Sequence, residues 1–343
     1  MMRMPAEWAE HEACLMAWPT RRELWGTQFE AAKREYAAVA GAVAAFEPVI
    51  MVAAPGAGRE AEAACGNGVR VIELPIDDSW LRDSGPIFVL GEDGTRAGVD
   101  FRFNAWGEKH YPWDADDKFA ALLLDRLGVD RHHSPMILEG GALTVDGEGT
   151  LITTEQCLLH PNRNPRMARA DIERELRHRL GVTKVIWLPY GGFEDEETDG
   201  HVDGVCAFVA PGKVIVQLPA DPAHPDHARM RANRAVLEAV TDARGRRLEI
   251  IEVPQTAYGT VGGAEATGGE PIEVGHLNFY VANGGVVVPV AGAPDDDAAL
   301  AVIASAFPGR KVVGVRTPTL AYGGGGVHCI TQQLPKALPG VGA

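Results

Sequence analysis

Hydrophobic residues recur along the chain in two alternating patterns, one with the period of a helix and one with the period of a strand. Segments with apolar residues three and four positions apart predict amphipathic helices. We predict helices at Phe29–Phe46, Ala115–Leu127, Arg169–Leu180, Asp226–Ala243 and Asp295–Phe307. An apolar run after the first helix predicts a buried strand.

Short β-rich runs joined by tight glycine turns alternate with these helices. Asn-Gly and Asp-Gly pairs suit such turns because both residue types tolerate positive φ. The predicted hairpins are Pro86–Phe103, Ala142–Thr154, Val205–Leu218 and Asn278–Val290. They lie roughly 50 to 75 residues apart and, with the N-terminal unit, form about five strand-and-helix modules. Repetition at this period predicts an α/β protein with a radial or stacked repeat architecture.

No linker rich in proline, glycine or serine divides the chain, so we expect a single domain over residues 1–343 with a frayed tail after residue 335. No apolar run approaches the roughly 20 residues that a membrane-spanning helix needs. The first ten residues carry charges and a proline where a secretory signal would be apolar. We therefore expect a cytoplasmic protein that does not bind a membrane.

The formal net charge of -15 changes the list of partners that the protein could bind. A field of this sign repels nucleic acid and concentrates cationic ligands, although the same charge would also simply keep a protein soluble.

The five cysteines are widely spaced and include no CxxC pair. This spacing argues against a disulfide framework and against a thiolate zinc site.

Four consecutive glycines, 323–326, precede Val327-His328-Cys329-Ile330-Thr331, which we interpret as a strand. Such a run costs conformational entropy on folding and permits a close approach of the backbone to a ligand. Cys329 is therefore a candidate nucleophile at the point where a strand enters a cavity. A buried core cysteine after a flexible turn is an equally good interpretation of this segment alone.

His201 and Asp203 are a second candidate pair. If they open a strand, their spacing places both side chains on one face, because strand side chains alternate. A histidine can transfer protons near neutral pH, and a carboxylate two residues later can bind a cation. A metal site is the alternative, with further ligands among the other histidines, but their spacing matches no familiar zinc pattern. We expect no metal.

Two further segments contain carboxylates at sharp bends. Asp83 follows Trp80 in a loop before a strand, where it is either part of a solvated turn or a receptor for a planar cation. A carboxylate accepts paired N–H bonds from such a cation, and an aromatic ring face supports the charge. Glu139 precedes Gly140-Gly141 at the start of a hairpin, which alone indicates little.

These segments together resemble the agmatine deiminases and the related bacterial peptidylarginine deiminases. The resemblance extends over nearly the whole chain. The segments that carry it include Met4-Pro5-Ala6-Glu7-Trp8, Trp80-Leu81-Arg82-Asp83, Glu139-Gly140-Gly141, Thr153-Thr154-Glu155-Gln156-Cys157, Gly200-His201-Val202-Asp203, Asn278-Phe279-Tyr280 and His328-Cys329-Ile330-Thr331.

The resemblance implies a five-bladed α/β propeller of the guanidine-modifying (pentein) superfamily, with pseudo-fivefold symmetry and a central active site without metal or organic cofactor. It implies that Cys329 is the nucleophile and His201 the general acid/base. Asp83 and Asp203 would bind the guanidinium, and Glu139 would orient the histidine.

Trp80 resembles a wall of the family's pocket. The glycine loop departs from the family's usual GGGNIHC, because Gly326 and Val327 replace its Asn and Ile.

The expected activity is hydrolysis of the small cationic guanidinium compound agmatine to N-carbamoylputrescine and ammonia through a thiouronium on the cysteine. Peptidyl arginine or another small guanidine is an alternative substrate, and amidine transfer to an amine is an alternative reaction. A non-catalytic binding propeller is a third class, which the intact set of candidate residues disfavours. The sequence leaves both a monomer and a homo-oligomer open.

Overall fold

The computed structural model describes residues 2–255, 258–259 and 272–337. Its strands are β1 Met2–Arg3, β2 His11–Ala17, β3 Val49–Ala53, β4 Val69–Glu73, β5 Ile87–Gly91, β6 Arg96–Arg102, β7 Asp130–Ile137, β8 Thr144–Val145, β9 Thr150–Thr154, β10 Lys184–Leu188, β11 Cys206–Ala210, β12 Lys213–Leu218, β13 Glu249–Pro254, β14 Tyr258–Gly259, β15 Ile272–Glu273, β16 Tyr280–Ala282, β17 Gly285–Val290, β18 Lys311–Arg316 and β19 Thr331–Pro335.

Longer helices alternate with single-turn helices that lie close to the strand ends. They are α1 Arg22–Trp25, α2 Phe29–Ala44, α3 Gly58–Cys65, α4 Leu81–Ser84, α5 Ala105–Glu108, α6 Asp116–Leu127, α7 Glu155–Leu158, α8 Arg169–Leu180, α9 Pro225–Ala239, α10 Asp296–Ala306 and α11 Pro318–Tyr322. Short 3-10 turns lie at Gly26–Gln28 and Gly140–Ala142.

The same connectivity recurs in successive sheets. An antiparallel hairpin is followed by a helix and then by a strand that pairs in parallel with the second strand of the hairpin. The units β5-β6-α6-β7, β8-β9-α8-β10, β11-β12-α9-β13 and β16-β17-α10-β18 all follow this order. The parallel pairing requires a crossover, which the helix supplies.

The two ends of the chain together form a further sheet of the same kind. β19 pairs antiparallel with β2, and β2-α2-β3 supplies the helix and the parallel strand, to which β4 is added. The hairpin of this unit is therefore assembled from strands that lie at opposite ends of the sequence. Because β19 follows the Cys329 segment directly, this pairing attaches the candidate nucleophile to the N-terminal sheet.

Apolar side chains pack each helix against its sheet. Phe119, Leu123 and Leu124 of α6 lie on one helix face and are buried in a cluster with strand residues such as Leu15 and Phe88. The spacing of these three residues follows the helical period, so the face that they form is continuous. Burial of this kind stabilises the fold by roughly 25 cal/mol per Å² of apolar surface.

The helix and hairpin predictions are confirmed, with small shifts at their ends. The helix predicted at Arg169–Leu180 has those bounds, and the one predicted to reach Ala243 ends at Ala239 instead. All four predicted hairpins are present. The buried strand after the first helix is β3, whose five residues are all buried.

Two strand predictions are wrong. The segment from His201 to Val205 is a turn, and the strand begins only at Cys206, so His201 and Asp203 do not share a strand face. Residues 327–330 are also in turns, and β19 begins at Thr331. The side chains of Asp203 and His328 bond to each other across the two segments, a tertiary contact that the local patterns do not indicate.

The predicted frayed tail after residue 335 lies mostly outside the described residues, since 338–343 are not among them. Over the described part of the chain, no helix combines the length and the apolar character that are needed to cross a membrane. All five cysteines carry free thiols, as their spacing predicts.

Candidate active site

The candidate site residues occupy equivalent places in different sheets, each in the short segment before the first strand of a hairpin. Asp83 precedes β5, Glu139 precedes β8, and His201 and Asp203 precede β11. Cys329 precedes β19, which forms a hairpin-like pair with β2. The repeated connectivity thus delivers one polar segment from each sheet to a shared site.

Cys329 lies between a carboxylate and a carboxamide. Its Sγ is 3.6 Å from Oδ2 of Asp203 and 3.2 Å from Nδ2 of Asn278, which donates to the sulfur. Oδ1 of Asn278 accepts the backbone N–H groups of His328 and Cys329 at 2.9 and 3.2 Å. Asn278 therefore fixes both the backbone turn and the sulfur, and it also precedes a hairpin strand, β16.

Asp83 is held by groups from two other segments. Its Oδ1 accepts the backbone N–H of Gly141 at 2.9 Å, and its Oδ2 accepts Nε1–H of Trp106 at 3.0 Å. Trp106 has a left-handed φ of 55°, a conformation that costs energy for a bulky side chain. Such strain persists only where surrounding contacts hold it, and here it directs the indole towards the carboxylate.

Gly141 permits the close approach of three side chains. A Cβ at this position would lie 2.6 Å from Nδ1 of His201, 2.9 Å from Oδ1 of Asp83 and 3.0 Å from Oδ2 of Asp203. No larger residue fits at these distances. Position 141 must therefore be glycine for these three side chains to lie so close together. The sequence alone did not reveal this requirement.

His201 is almost completely buried, and its ring lies between two carboxylates. Nδ1 is 3.9 Å from Oδ1 of Asp83, and Nε2 is 4.0 Å from Oε2 of Glu139. Both ring nitrogens lack a hydrogen-bond partner among the described residues. A buried imidazole with two free nitrogens is available to exchange protons with a bound ligand.

Glu139 is fully buried and forms an ion pair with Arg163, whose Nε donates to Oε1 at 2.6 Å. Arg163 also donates to Oδ2 of Asp199, two residues before His201. The backbone N–H of His201 is bound by the side chains of Asp195 and Thr198. The turn that carries the imidazole is therefore anchored on both sides.

The environment of Cys329 disfavours its thiolate in the free protein. Burial raises the pKa of the thiol well above its usual value, and the negative charges of Asp203 and Asp83 raise it further. The backbone of Gly326 and the amide of Asn278 act in the opposite direction. An added cation between the two carboxylates would reverse the dominant electrostatic effect.

The neighbouring ionisable groups are shifted in opposite directions. Burial raises the pKa of Asp83, whereas His328 outweighs the effect of burial on Asp203 and lowers its pKa. Burial opposes the charged form of His201, but Asp83, Cys157 and Asp203 outweigh it and raise the pKa well above the usual value. His201 is thus favoured as an imidazolium.

Cavities lie on both sides of Cys329. One, of about 340 Å³, is lined by His201, Asp203, Asn278 and Cys329. A smaller one is lined by Trp80, Asp83, Trp106 and Cys329. Trp80 is buried there, and its ring centroid is 5.7 Å from that of Trp25. Five of the six predicted site residues therefore line these cavities, and the sixth, Glu139, lies beside His201.

One group of possible metal ligands occurs within the described residues. Atoms of Glu139, Cys157 and His201 lie within 4.8 Å of one another. Arg163 already neutralises Glu139, and the raised pKa of Cys157 favours a thiol over the thiolate that binds metals. This group is therefore better suited to keep His201 protonated than to bind a metal cation.

Several site residues were not singled out from the sequence. They are Glu7, Arg82, Trp106, Asn278 and His328, together with Arg163. Most lie within segments that carry the family resemblance, which was their available signal. Asn278 had a second signal, because it precedes a hairpin strand at the place where the other modules carry candidate residues.

The fold and this arrangement of side chains define the class of protein. Residues 3–335 match the family described as Porphyromonas-type peptidyl-arginine deiminase, and the chain belongs to that family. An agmatine deiminase from Pseudomonas aeruginosa is 42% identical, with 97% of this chain and 95% of the relative covered.

A solved structure of the agmatine deiminase of Enterococcus faecalis superposes with a TM-score of 0.93 at 36% identity, covering 98% of this chain and 96% of that one. The N-terminal domain of ArgZ, an arginine dihydrolase of cyanobacteria, matches with a TM-score of 0.56 at 14% identity and shares the fold.

Proposed function

We propose that this protein hydrolyses agmatine to N-carbamoylputrescine and ammonia through a covalent intermediate on Cys329. The observation that carries the proposal is the convergence of Cys329, His201, Asp83 and Asp203 on one site. The relatives named agmatine deiminase support the choice of substrate. The net charge of -15 favours the approach of a cation.

Binding comes first in this mechanism. A guanidinium is a planar cation whose N–H groups pair with carboxylates in parallel bonds. Asp83 and Asp203 would accept these bonds from either side of Cys329, and Trp80 would support the planar group from the smaller cavity. This fixes the central carbon next to the sulfur and replaces a bimolecular encounter with a positioned attack.

The bound substrate would also activate the nucleophile. In the free protein two carboxylates disfavour the thiolate of Cys329. A guanidinium between them neutralises their field, so the thiol of Cys329 releases its proton to solvent when the electrophile is in place. The described contacts of Sγ include Asp203 and Asn278 but not His201, which favours the substrate over His201 as the activating cation.

His201 would then serve both halves of the reaction. The thiolate forms a bond to the central carbon, and the imidazolium of His201 donates its proton to the departing nitrogen as the C–N bond breaks and ammonia leaves. Neutral His201 next takes a proton from water as its oxygen attacks the thiouronium. The C–S bond breaks and the thiolate returns, while the remaining hydroxyl proton passes to solvent and the ureido product is released. Glu139 would orient the imidazole.

We infer that the whole chain is one domain built as a five-bladed α/β propeller. The observations that support this are the repeated hairpin–helix–strand units and the pairing of β19 with β2, which joins the ends of the chain. Polar segments before the hairpins would then meet in the central channel. Five free thiols favour the cytoplasm, where cysteines stay reduced.

The experiment is incubation of the protein with agmatine, free arginine and an arginyl peptide, with ammonia and ureido product measured for each. We expect both products from agmatine at the highest kcat/KM and none from Cys329→Ala. Cys65→Ala, which removes a thiol in α3, serves as the control and should retain activity. Equal turnover of the peptide, or transfer of the amidine to an added amine, would contradict the proposal.

A further inference from the structure

His328, the residue next to the candidate nucleophile, lies between the buried carboxylate of Asp203 and the partly buried carboxylate of Glu7. Its Nδ1 lies 2.9 Å from Oδ2 of Asp203, and its Nε2 lies 2.8 Å from Oε1 of Glu7. Arg82 approaches the same oxygen of Glu7 at 3.5 Å. The side chains of His328, Asp203 and Arg82 are less than 10% exposed, so water screens these charges little.

The geometry defines the protonation state of the ring. A neutral imidazole has one donor and one acceptor, whereas both nitrogens of His328 face ionised oxygens. Only the imidazolium donates to both. Burial and Arg82 oppose this charge, but Glu7 and Asp203 outweigh them and raise the pKa of His328. The same contacts lower the pKa of Glu7 to about 2.

His328 does not line the substrate cavities, whereas Asp203 and Cys329 do. It lies behind them, beside a void of about 10 Å³ that Glu7 and Asp203 also line. It therefore acts on a ligand only through its neighbours. Its bond to Asp203 uses Oδ2, the oxygen nearest the sulfur of Cys329.

We propose that Glu7 and His328 are positioning residues of this enzyme, forming with Asp203 a row of alternating charges that fixes the Asp203 carboxylate beside Cys329 for the guanidinium. The inference rests on the proposed function and extends it to residues that do not touch the substrate. Glu7 keeps the imidazole of His328 protonated and oriented, and the imidazole in turn fixes the carboxylate of Asp203. A carboxylate that rotates freely would lose the parallel geometry that guanidinium binding needs.

The same row affects the nucleophile. Asp203 is one of two carboxylates that disfavour the thiolate of Cys329, and the charge on His328 offsets it. The ionisable groups that face His328 are Asp203, Glu7 and Arg82. Those that interact with Cys329 include Asp203, Asp83 and the buried hydroxyl of Tyr36. Loss of the positive charge on His328 should therefore shift thiol ionisation to higher pH.

Two variants separate the two bonds of the row. His328→Asn keeps an amide donor near Asp203 but removes the positive charge and the bond to Glu7. His328→Ala removes the charge and both hydrogen bonds. We expect KM for agmatine to rise about tenfold in His328→Asn and further in His328→Ala. Partial rescue by the amide would distinguish positioning from a general structural role.

Glu7→Gln removes the distant carboxylate and leaves the ring in place. It lowers the pKa of His328, because the negative charge of Glu7 favours the imidazolium, so the rise of KM with pH should begin at a lower pH than in the unaltered protein. Glu12→Gln, an exposed carboxylate on β2, is the matched control and should leave the pH profile unchanged. If His328 variants fail to fold, the Glu7→Gln profile carries the test alone.

A substrate-independent measurement keeps this inference separate from the proposed function. The rate of Cys329 alkylation by iodoacetamide, followed against pH without substrate, should have its midpoint at higher pH in His328→Asn than in the unaltered protein. A folded His328→Asn protein with unchanged KM and unchanged alkylation midpoint would overturn the inference. Absence of ammonia release by the unaltered protein would instead count against the proposed function.

Discussion

The surroundings of the candidate nucleophile, Cys329, are electrostatically unlike those of a typical reactive cysteine. A reactive cysteine is usually stabilised as thiolate by a nearby cation or a helix N-terminus. Here the sulfur faces Asp203, with Asp83 also close enough to raise the thiol pKa. The free protein therefore disfavours the thiolate at neutral pH, and we expect a bound cation to increase the reactivity of the thiol.

This arrangement predicts opposite effects of one substitution on two reactions. Asp203→Asn removes a negative charge 3.6 Å from the sulfur, so the pKa of Cys329 should fall and alkylation without substrate should become faster at neutral pH. Turnover of agmatine should fall by about tenfold or more, because one of the two carboxylates proposed to bind the guanidinium is lost. Alkylation rates and steady-state kinetics measure the two effects.

Asp125→Asn provides the control for this experiment, because Asp125 is an exposed carboxylate on α6. It should change neither rate. Slower alkylation in Asp203→Asn would mean that Asp203 stabilises the thiolate and would contradict the electrostatic argument.

At the scale of elements, the glycine loop before Cys329 is shaped by its contact with Asn278. A Cβ on Gly326 would lie 2.6 Å from Oδ1 and 3.0 Å from Cβ of Asn278. The same carboxamide binds the sulfur and two backbone N–H groups. Gly326, where this loop differs from the family pattern, therefore packs tightly against Asn278 in the segment just before β16.

Gly326→Ala should therefore disturb the site by displacing Asn278. We expect displacement of Asn278 and a loss of about tenfold or more in kcat/KM, since small misplacements near reacting atoms are costly. Kinetics together with a structure of the variant would measure this. Gly41→Ala in α2, where a Cβ meets nothing within 4 Å, is the control. Unchanged kinetics in Gly326→Ala would show that the loop adjusts freely.

At the scale of the whole molecule, a buried polar network joins the sheet of β19, β2, β3 and β4 to the sheet of β16–β18. Glu47 accepts hydrogen bonds from the hydroxyl of Tyr280 and the backbone of Asn283, both at 2.7 Å. Nδ1 of His11 lies 3.2 Å from both of its oxygens. These partners come from opposite ends of the chain, so the network secures the seam where the chain closes.

Removal of the carboxylate should destabilise the entire protein. Glu47→Ala leaves several buried donors without a partner, and we expect the free energy of unfolding to fall by about 3 kcal/mol. Urea unfolding of the variant and of Glu62→Ala, which alters an exposed carboxylate on α3, measures the difference. A loss of less than about 0.5 kcal/mol, typical of surface changes, would show that the seam does not depend on Glu47.

The sequence by itself determined the helices and hairpins and identified which side chains are candidates for the site. Helical and alternating periods depend on neighbouring residues, so the helix at Arg169–Leu180 and the four hairpins could be predicted from local patterns. Turn residues marked where the hairpins reverse. The family resemblance supplied Cys329, His201, Asp83, Asp203 and Glu139 as a set.

Only the tertiary structure decided how these residues meet. His201 and Asp203 lie in a turn and not on a strand, and they converge with Asp83 because Gly141 leaves room for all three. The contact between Glu7 and His328 spans 321 positions in sequence. No local pattern encodes such contacts, because they arise when separate modules pack and bring the segments before their hairpins to one place.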